Sequence, residues 1–565
     1  MASRGSGFPW LNRHRRAYHN PPPQVPQATI RQMRAAMAGA PTNSRPGEVA
    51  ANIHRPLWGC GLAAPLSAGP TPARPVTSEV AIIGFDSAIV PGHARAMSHS
   101  RHATSRRDFL QTTSRLAAAS ALAGVALPPV HAAASETIQL ALIGCGNRGA
   151  GAVANAMSAG GLVLGDTSGR QTPTSDIAKV PVKLVAMADL RQDRLDEKYA
   201  ALKQSLGDRV DVPPERRFLG FGAYRHAMDC LRPGDVALLT THAAFRAVHL
   251  EYAVQKGLHV FMEKDFAADP GGIKRLLKAG EAAQRKNLKI GCGLMCRHSS
   301  ARQALIQKIR DGALGEVMLI RAYRMDPGYF MAPFPKNQNE LLWQLSPGHP
   351  YQFLWASGGI FIELMIHQMD ECFWIKDAWP VSAHGVGGRF AGSTDASQNL
   401  DSYSVEFTFP DGSKALVTGR YIPRCHTDFA TFVHGTKAAA KFSGDVHAPD
   451  CWICKDQRAE RDNVAWRPPP ETVNPWQAEW DVLLDAIRND KPHNELRRAA
   501  LSNLGAIMGR AAVHMGRVIT WQEALTSDFQ FCDHVGQLTK DSPAPVQADA
   551  QGRYPAPVPG RWTEI

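Results

Sequence analysis

The stretch TIQLALIGCGNRGAGAVANAM, residues 137–157, restricts the fold more than any other part of the chain. Ile138 to Ile143 is a short apolar run of the kind that is buried on both faces of a parallel sheet. Gly144, Gly146 and Gly149 then complete G-x-G-x-x-G at the head of a helix-like stretch. Gly144 permits the tight turn, Gly146 lets backbone approach a pyrophosphate, and Gly149 lets the helix pack closely on the strand. Phosphates would rest on the helix N-terminus, where free N–H groups and the helix dipole favour negative charge. Asn147 and Arg148, between these glycines, belong to the same candidate cofactor site.

A second strand, VKLVAMADL, brings Asp189 to the place where an acid holds ribose hydroxyls. Asp189 lies 45 residues after Gly144, against a usual spacing of about 20. The Gly-, Ser-, Thr- and Pro-rich stretch GGLVLGDTSGRQTPTSDIAKVP reads as a loop insertion that accounts for the excess. Asp189 would repel a 2'-phosphate and so favours NAD, while Arg191 would welcome one and keeps NADP open. Further βα units follow in DVALLTT (235–241), HVFMEKD (259–265) and LKIGCGLM. They predict a doubly wound parallel sheet with Thr241, Glu263 and Lys264 at strand C-terminal ends, where ligands of such sheets bind.

A net charge of +12 is of the kind that polyanion-binding chains carry, but its distribution argues otherwise. Residues 1–134 hold 14 Arg, no Lys and 4 acids, which leaves +2 for the rest and no case for nucleic acid. Residues 105–134, SRRDFLQTTSRLAAASALAGVALPPVHAAA, resemble a twin-arginine export signal. Its apolar part, Leu116 to Leu127, is too short for a stable membrane anchor. That resemblance implies the Tat machinery as a partner, a periplasmic or secreted destination and export with a cofactor aboard. Residues 1–96 are Pro-, Arg-, Ala- and Gly-rich without a sustained period, and read either as a disordered extension or as an untranslated stretch upstream of Met97. The second is favoured, because Met97 gives the signal a normal short N-terminal region.

Where HVFMEKDFAAD joins G-x-G-x-R-G, the chain resembles the Gfo/Idh/MocA oxidoreductase superfamily over about residues 137–525. The segment CRHSSARQALIQKIRDGALGEVMLIRAYR is similar to that family's crossing into its second domain, and GGIFIELMIHQMDECFW to its G-G-x-x-x-D-x-x-x-H-x-x-D helix. The family's E-K-P is E-K-D here, with Asp265, and its T-P-x-x-x-H becomes Thr241, His242, Ala243, Ala244, with a His at His249. Losing both prolines is expected to loosen two loops beside the nicotinamide site.

The resemblance implies a Rossmann domain over 135–292, an α+β domain with a mostly antiparallel open sheet over 293–525, a tail over 526–565 and a homo-oligomer. The segments GEVMLIRAYR, VSAHGVGGRF, SYSVEFTFPDGSKALVTGRY and TFVHGTKAAAKFSG read as the strands of the second domain.

Glu363, His367 and Asp370 fall at i, i+4 and i+7 on a helix expected to be amphipathic, so they share one face and have the composition of a proton relay. The implied chemistry is hydride transfer between a sugar, polyol or cyclitol carbinol and nicotinamide. In it His367 acts as general base, Lys264 steadies the developing charge on oxygen, and Glu363 orients His367 or binds a hydroxyl. Arg297, Tyr323, Arg324 and Asp370 are weaker substrate candidates, and at most one of Tyr323 and Arg324 can face the cleft because a strand alternates. His249 reads as a packing histidine.

No metal site is expected. Cys451 and Cys454 form a single C-x-x-C that could be a disulfide or half of a metal site, with a bland or merely stabilising role favoured over a functional one. Two alternatives stand beside the oxidoreductase: an NAD-using glycosidase of the same superfamily, and a non-catalytic sugar- or nucleotide-binding protein.

Overall fold

In the computed structural model, residues 137–157, 181–444 and 448–565 are described, all within the second of two units, Ala103–Ile565. The leader, the export signal and nearly all of the insertion after Met157 lie outside the described residues.

Six strands form the first sheet: β1 (Ile138–Ile143), β2 (Val182–Asp189), β3 (Arg217–Leu219), β4 (Val236–Leu239), β5 (His259–Met262) and β6 (Ile290–Cys292). They are parallel throughout and run in the order β3-β2-β1-β4-β5-β6. Between them run α1 (Asn147–Ala156), α2 (Gln192–Leu206), α3 (Ala223–Asp229), α4 (Ala243–Gln255) and α5 (Pro270–Arg285). The strand order reverses between β1 and β4, which opens the ligand crevice at their carboxyl ends. Five of the six strands follow from apolar runs; β3 is three half-exposed or exposed residues without such a run. The helix starts are set chemically as well. Asp269 accepts the Gly272 N–H at 2.8 Å with Pro270 in the first turn of α5, an arrangement that contributes about 1 kcal/mol.

The second sheet has nine strands: β7 (Val317–Met325), β8 (Ser382–Gly388), β9 (Ser402–Thr408), β10 (Lys414–Arg420), β11 (Asp428–Gly435), β12 (Ala439–Ser443), β13 (Trp452–Cys454), β14 (Val464–Trp466) and β15 (Ile519–Thr520). Their order is β14-β13-β12-β11-β7-β10-β9-β8-β15, antiparallel except where β7 meets β10. The helices of this half are α6 (Ser300–Arg310), α7 (Glu340–Gln344), α8 (Leu354–Ser357), α9 (Gly359–Lys376), α10 (Pro475–Arg488), α11 (Leu496–Met515) and α12 (Trp521–Thr526). Ile320 and Ala322 of β7 are buried in the same core as Ile362, Met365, Ile366 and Met369 of α9. No helix among the described residues is long and apolar enough to cross a membrane.

Two expectations are corrected. Helix α10, assigned with the second domain, returns to the first sheet: Trp480, Leu483, Leu484 and Ile487 join its core, and Trp480 stacks on Phe261 at 4.4 Å. Its apolar stripe shares that sheet face with α1 and with Leu195, Leu202 and Leu206 of α2. Helix α9, expected to be amphipathic, is buried almost all round because α11 covers the side away from the sheet. Cys451 and Cys454 are free thiols, and Cys451 Sγ donates to the Phe442 carbonyl at 3.0 Å.

Candidate active site

The Gly-rich turn shapes one end of a cleft of about 470 Å³. Gly144 has φ +100°, and a Cβ there would lie 2.8 Å from the Thr240 backbone. At Gly149 a Cβ would meet Gly144 O at 2.5 Å and Thr240 Oγ1 at 2.6 Å, so both glycines are required by close packing. Gly146 differs: a Cβ there would touch nothing within 4 Å and would project into space that the cleft provides. Helix α1 begins at Gly146 with no side chain capping its first N–H groups. Bare helix N–H groups beside an unfilled backbone approach form a cradle that fits a pyrophosphate.

Asp189, at the end of β2, is fixed by its neighbours: Oδ2 accepts the Cys145 N–H at 2.6 Å and Oδ1 the Arg191 N–H at 2.9 Å. Burial raises its pKa, and these two N–H bonds oppose the rise. The Arg191 guanidinium grips Asp193 through two bonds of 3.0 and 2.8 Å. Arg194 lines the same end of the cleft. A carboxylate held here fits the hydroxyls of a ribose.

Glu263 does not line this cleft. It is buried and pairs with Arg148 Nε at 2.6 Å, tying the Gly-rich turn to the end of β5. Asn147, Arg148 and Thr241 do line it.

Beyond Thr241 the cleft reaches His242 and Tyr351, whose rings meet edge-on at 6.0 Å. Next to them Lys264 Nζ contacts Glu363 Oε1 at 2.5 Å and the Glu363 carbonyl at 3.1 Å. Burial works against the Lys264 charge, but Glu363 and Asp265 outweigh it and hold its pKa above the ordinary value. Burial likewise opposes the charge on Glu363, and Lys264 above all keeps its pKa low. Asp265 is 2% exposed, and neither of its carboxyl oxygens has a donor partner among the described residues. Burial, then the neighbouring Glu363 carboxylate, raise its pKa well above the ordinary value, and Lys264 and Arg246 oppose the rise.

His367, one turn along α9 from Glu363, is buried, and burial, then Lys264 and Arg324, depress its pKa well below the ordinary value. It is therefore a neutral imidazole, able to take a proton. His242 is neutral for a related reason: burial lowers its pKa to about 4, with Glu363 partly offsetting. The Glu363 carboxylate, then burial, push the Tyr351 phenol up to about 12.

The three-residue relay does not form. Glu363 pairs with Lys264, and Asp370 accepts both Arg297 Nε at 2.8 Å and Arg297 Nη2 at 2.9 Å, with Ser502 Oγ at 2.6 Å. Buried charges need the nearest complementary partner, and those partners come from distant parts of the chain. Arg297 and Asp370 therefore brace the interior and leave the substrate region. Tyr323 also departs: it lies with Arg321 and Phe432 on the sheet face opposite that of Arg324. Arg324 is the one of the pair on the His367 side.

The two loops expected to be loose are pinned by Arg246 of α4, which is wholly buried. Its guanidinium donates to the carbonyls of Leu239, of Thr241 at 2.6 Å and of Asp265 at 3.4 Å. His249 packs as expected, 4.3 Å from the Tyr224 ring and bonded to Thr241 Oγ1 at 3.2 Å, with burial lowering its pKa to about 3. Sequence reasoning missed Tyr351, Arg194 and Arg246, and gave His242 no role. His242 had a signal, as a titratable residue where the family has proline; Tyr351 and Arg246 had none.

Residues 303–441 match the family model described as the GFO/IDH/MocA C-terminal domain. The rhizopine catabolism protein MocA of Rhizobium meliloti is 26% identical over 215 residues, 36% of this chain and 58% of that protein. Inositol 2-dehydrogenase of Rhizobium meliloti strain 1021 is 25% identical over 207 residues, 36% of this chain and 56% of that protein. The chain thus spans little more than half the length of these relatives. The domain match and the two relatives support kinship with the GFO/IDH/MocA family.

Among solved structures, the aldose-aldose oxidoreductase of Caulobacter crescentus complexed with glycerol aligns at TM-score 0.49 and 17% identity, over 68% of this chain and 100% of that one. The scyllo-inositol dehydrogenase of Lactobacillus casei with bound NAD(H) and scyllo-inositol aligns at 0.48 and 19%, over 68% and 99%.

Proposed function

We propose that this chain is a nicotinamide-dependent oxidoreductase of the GFO/IDH/MocA kind that acts on a carbinol carbon of a sugar, polyol or cyclitol, with NAD preferred over NADP. One observation carries the reading. The unfilled cradle at Gly146 and the His242 and Tyr351 side chains line one crevice, and the charged Lys264–Glu363 pair stands close enough to those two residues to shift their pKa values, with neutral His367 beside Lys264. The dehydrogenase relative supports the reaction class.

A nicotinamide dinucleotide held in the crevice would supply the hydride acceptor for oxidation of the carbinol carbon. The residues of the chain do the rest. Gly144, Gly146 and Asp189, which line the crevice, would hold the dinucleotide. Lys264, kept charged by Glu363, donates to the carbinol oxygen and steadies negative charge as the C–O bond gains double-bond character. His367, neutral beforehand, takes the hydroxyl proton. Asp265 and Arg246 keep the Lys264 loop in place from behind.

The test uses the full chain purified without added nucleotide, denatured, with released small molecules identified by mass spectrometry, followed by a carbinol screen read at the absorbance of the reduced cofactor. Stoichiometric NAD and one oxidised sugar or cyclitol are expected; failure to carry or bind either nucleotide sinks the reading. The same preparation from periplasm and cytoplasm checks the export reading, which expects the loaded protein outside the cytoplasm.

A second reading is favoured by one feature, the gathering of His242 and Tyr351 at Lys264. Protonated at neutral pH, Tyr351 is a candidate acid for a departing glycosidic oxygen, which would make the outcome hydrolytic. Free sugar released from an aryl glycoside with no net change in cofactor redox state distinguishes it.

A further inference from the structure

We propose that a hollow beside the cofactor crevice is a second ring site, which takes the non-reacting sugar ring of a glycoside whose reacting ring lies at Lys264. The hollow has a volume of about 520 Å³ and meets the crevice at Pro347 and Gly348, which line both. Its floor is Met331, Trp343 and Gln352, and its rim carries Tyr329 and Phe330.

The rim is what calls for explanation. Tyr329 is 45% exposed and Phe330 39%, and Phe390, at 38%, lies 6.2 Å from the Phe330 ring. A single exposed aromatic is ordinary, but two on the rim of one hollow, with a third packed against Phe330 and the hollow adjoining the crevice, mark a binding surface. Flat aromatic faces suit the C–H face of a pyranose, which is apolar while its rim of hydroxyls is polar. The hollow also offers a polar group. His349 Nδ1 is bonded to the Trp343 carbonyl at 2.7 Å, which fixes the tautomer and leaves Nε2 as an acceptor at the wall.

The surface is built rather than incidental. Residues 326–353 contain little regular structure, yet the C-terminal tail straps them down. Phe334 N–H donates to the Gly552 carbonyl at 2.8 Å and Gln344 Nε2 to the Val546 carbonyl at 2.6 Å. The Ala548 N–H and the Tyr554 hydroxyl both donate to Glu340 Oε1 at 2.8 Å. The Tyr554 ring packs 4.8 Å from Phe353 and stacks at 6.1 Å on Trp343. The strap is locked at its end, where buried Glu564 accepts from Arg510 at 2.8 Å and bonds His514 at 3.0 Å. Holding the hollow in shape before binding removes the ordering cost that a loose loop would impose on a ligand. The tail is therefore a positioning element of the site.

The identity of the reacting ring rests on the oxidoreductase reading; the ring site is read by binding alone. The full chain is titrated with glucose, cellobiose, maltose and 4-nitrophenyl β-glucoside, using tryptophan fluorescence, to which Trp343 contributes, and saturation-transfer NMR. NADH affinity and thermal midpoint are measured alongside. At least one glycoside is expected to bind tenfold or more tightly than glucose. That margin should vanish in the Tyr329→Ala/Phe330→Ala variant and shrink in His349→Ala, while glucose and NADH affinities hold.

Equal affinity for glucose and every glycoside in the unaltered chain overturns the proposal, as does a margin that survives the double variant. A margin carried only by the nitrophenyl glycoside overturns the sugar-ring assignment in favour of an aromatic aglycone. A changed oligomeric mass in the double variant with the margin intact assigns the rim to contact between copies instead. Absent NADH binding with an intact glycoside margin sinks the oxidoreductase reading and leaves the ring site standing.

Discussion

The two ends of the crevice are built on opposite plans. The dinucleotide end comes from a continuous run, Ile143 to Gly149, joined by Asp189 of the adjacent strand, and its key interactions are made by backbone N–H groups. The reaction end is gathered from distant segments: Lys264 and Glu363 are 99 residues apart, and His242 and Tyr351 come from two further stretches. The first depends on what is missing, the side chains of three glycines; the second depends on buried charges that must find one another. A defect at the first end should therefore change binding, and a defect at the second should change both chemistry and stability.

The largest expected effect is at Lys264. Lys264→Met should lower turnover on whichever carbinol is found by about 10²- to 10⁴-fold, the range for losing a positioned proton-transfer group. It should also cost about 3 kcal/mol of stability, because Glu363 is left buried without its cation. Adding Glu363→Gln should restore most of the stability and none of the turnover. Urea midpoints and initial rates read the two separately, and turnover that survives Lys264→Met would remove the ammonium from the chemistry.

A smaller, more selective change is expected at the other end. Asp189→Ser removes the carboxylate that would oppose a 2'-phosphate, and should shift the NADP-to-NAD affinity ratio by about 10-fold or more with little effect on folding. An unchanged ratio would mean that the ribose lies elsewhere.

The smallest effect is a slope. His249 is buried, His242 is half-buried in the crevice wall, and both are neutral, with pKa values lowered to about 3 and about 4. A histidine whose folded pKa lies below its unfolded one loses stability as pH falls below the unfolded value, because only the unfolded chain then takes the proton. Each should contribute about 1.4 kcal/mol of lost stability per pH unit from about pH 6 down towards its folded pKa. His249→Gln should remove one such increment. Denaturant melts at pH 6, 5 and 4 measure it, and identical slopes would show that His249 already titrates normally.

The same contrast explains what the chain revealed before its structure. The alternation of apolar runs with Gly-rich turns exposed five of the six strands of the first sheet, and G-x-G-x-x-G with Asp189 located the dinucleotide end, because both signals are local. β3 was illegible since three half-exposed residues at a sheet edge carry no apolar pattern. At the reaction end, residue types were readable and partners were not. Spacing put Glu363, His367 and Asp370 on one helix face, but Lys264, Arg297 and Ser502 decide what the two acids do. Proline loss at Asp265 and His242 looked like loosening only because Arg246, which pins both loops, has no sequence pattern. The tail gave no sign of its role, since nothing in its composition announces that Glu564 will be buried against Arg510.

The most direct test of the account is a titration with NADH, followed by its fluorescence, of the full chain and of Gly146→Ala. A methyl at Gly146 meets nothing in the protein and stands where the dinucleotide must pass. The account predicts saturable binding in the unaltered chain and at least a tenfold loss in Gly146→Ala, at the same thermal midpoint. Equal NADH affinity in the two proteins, or none in either, would contradict it.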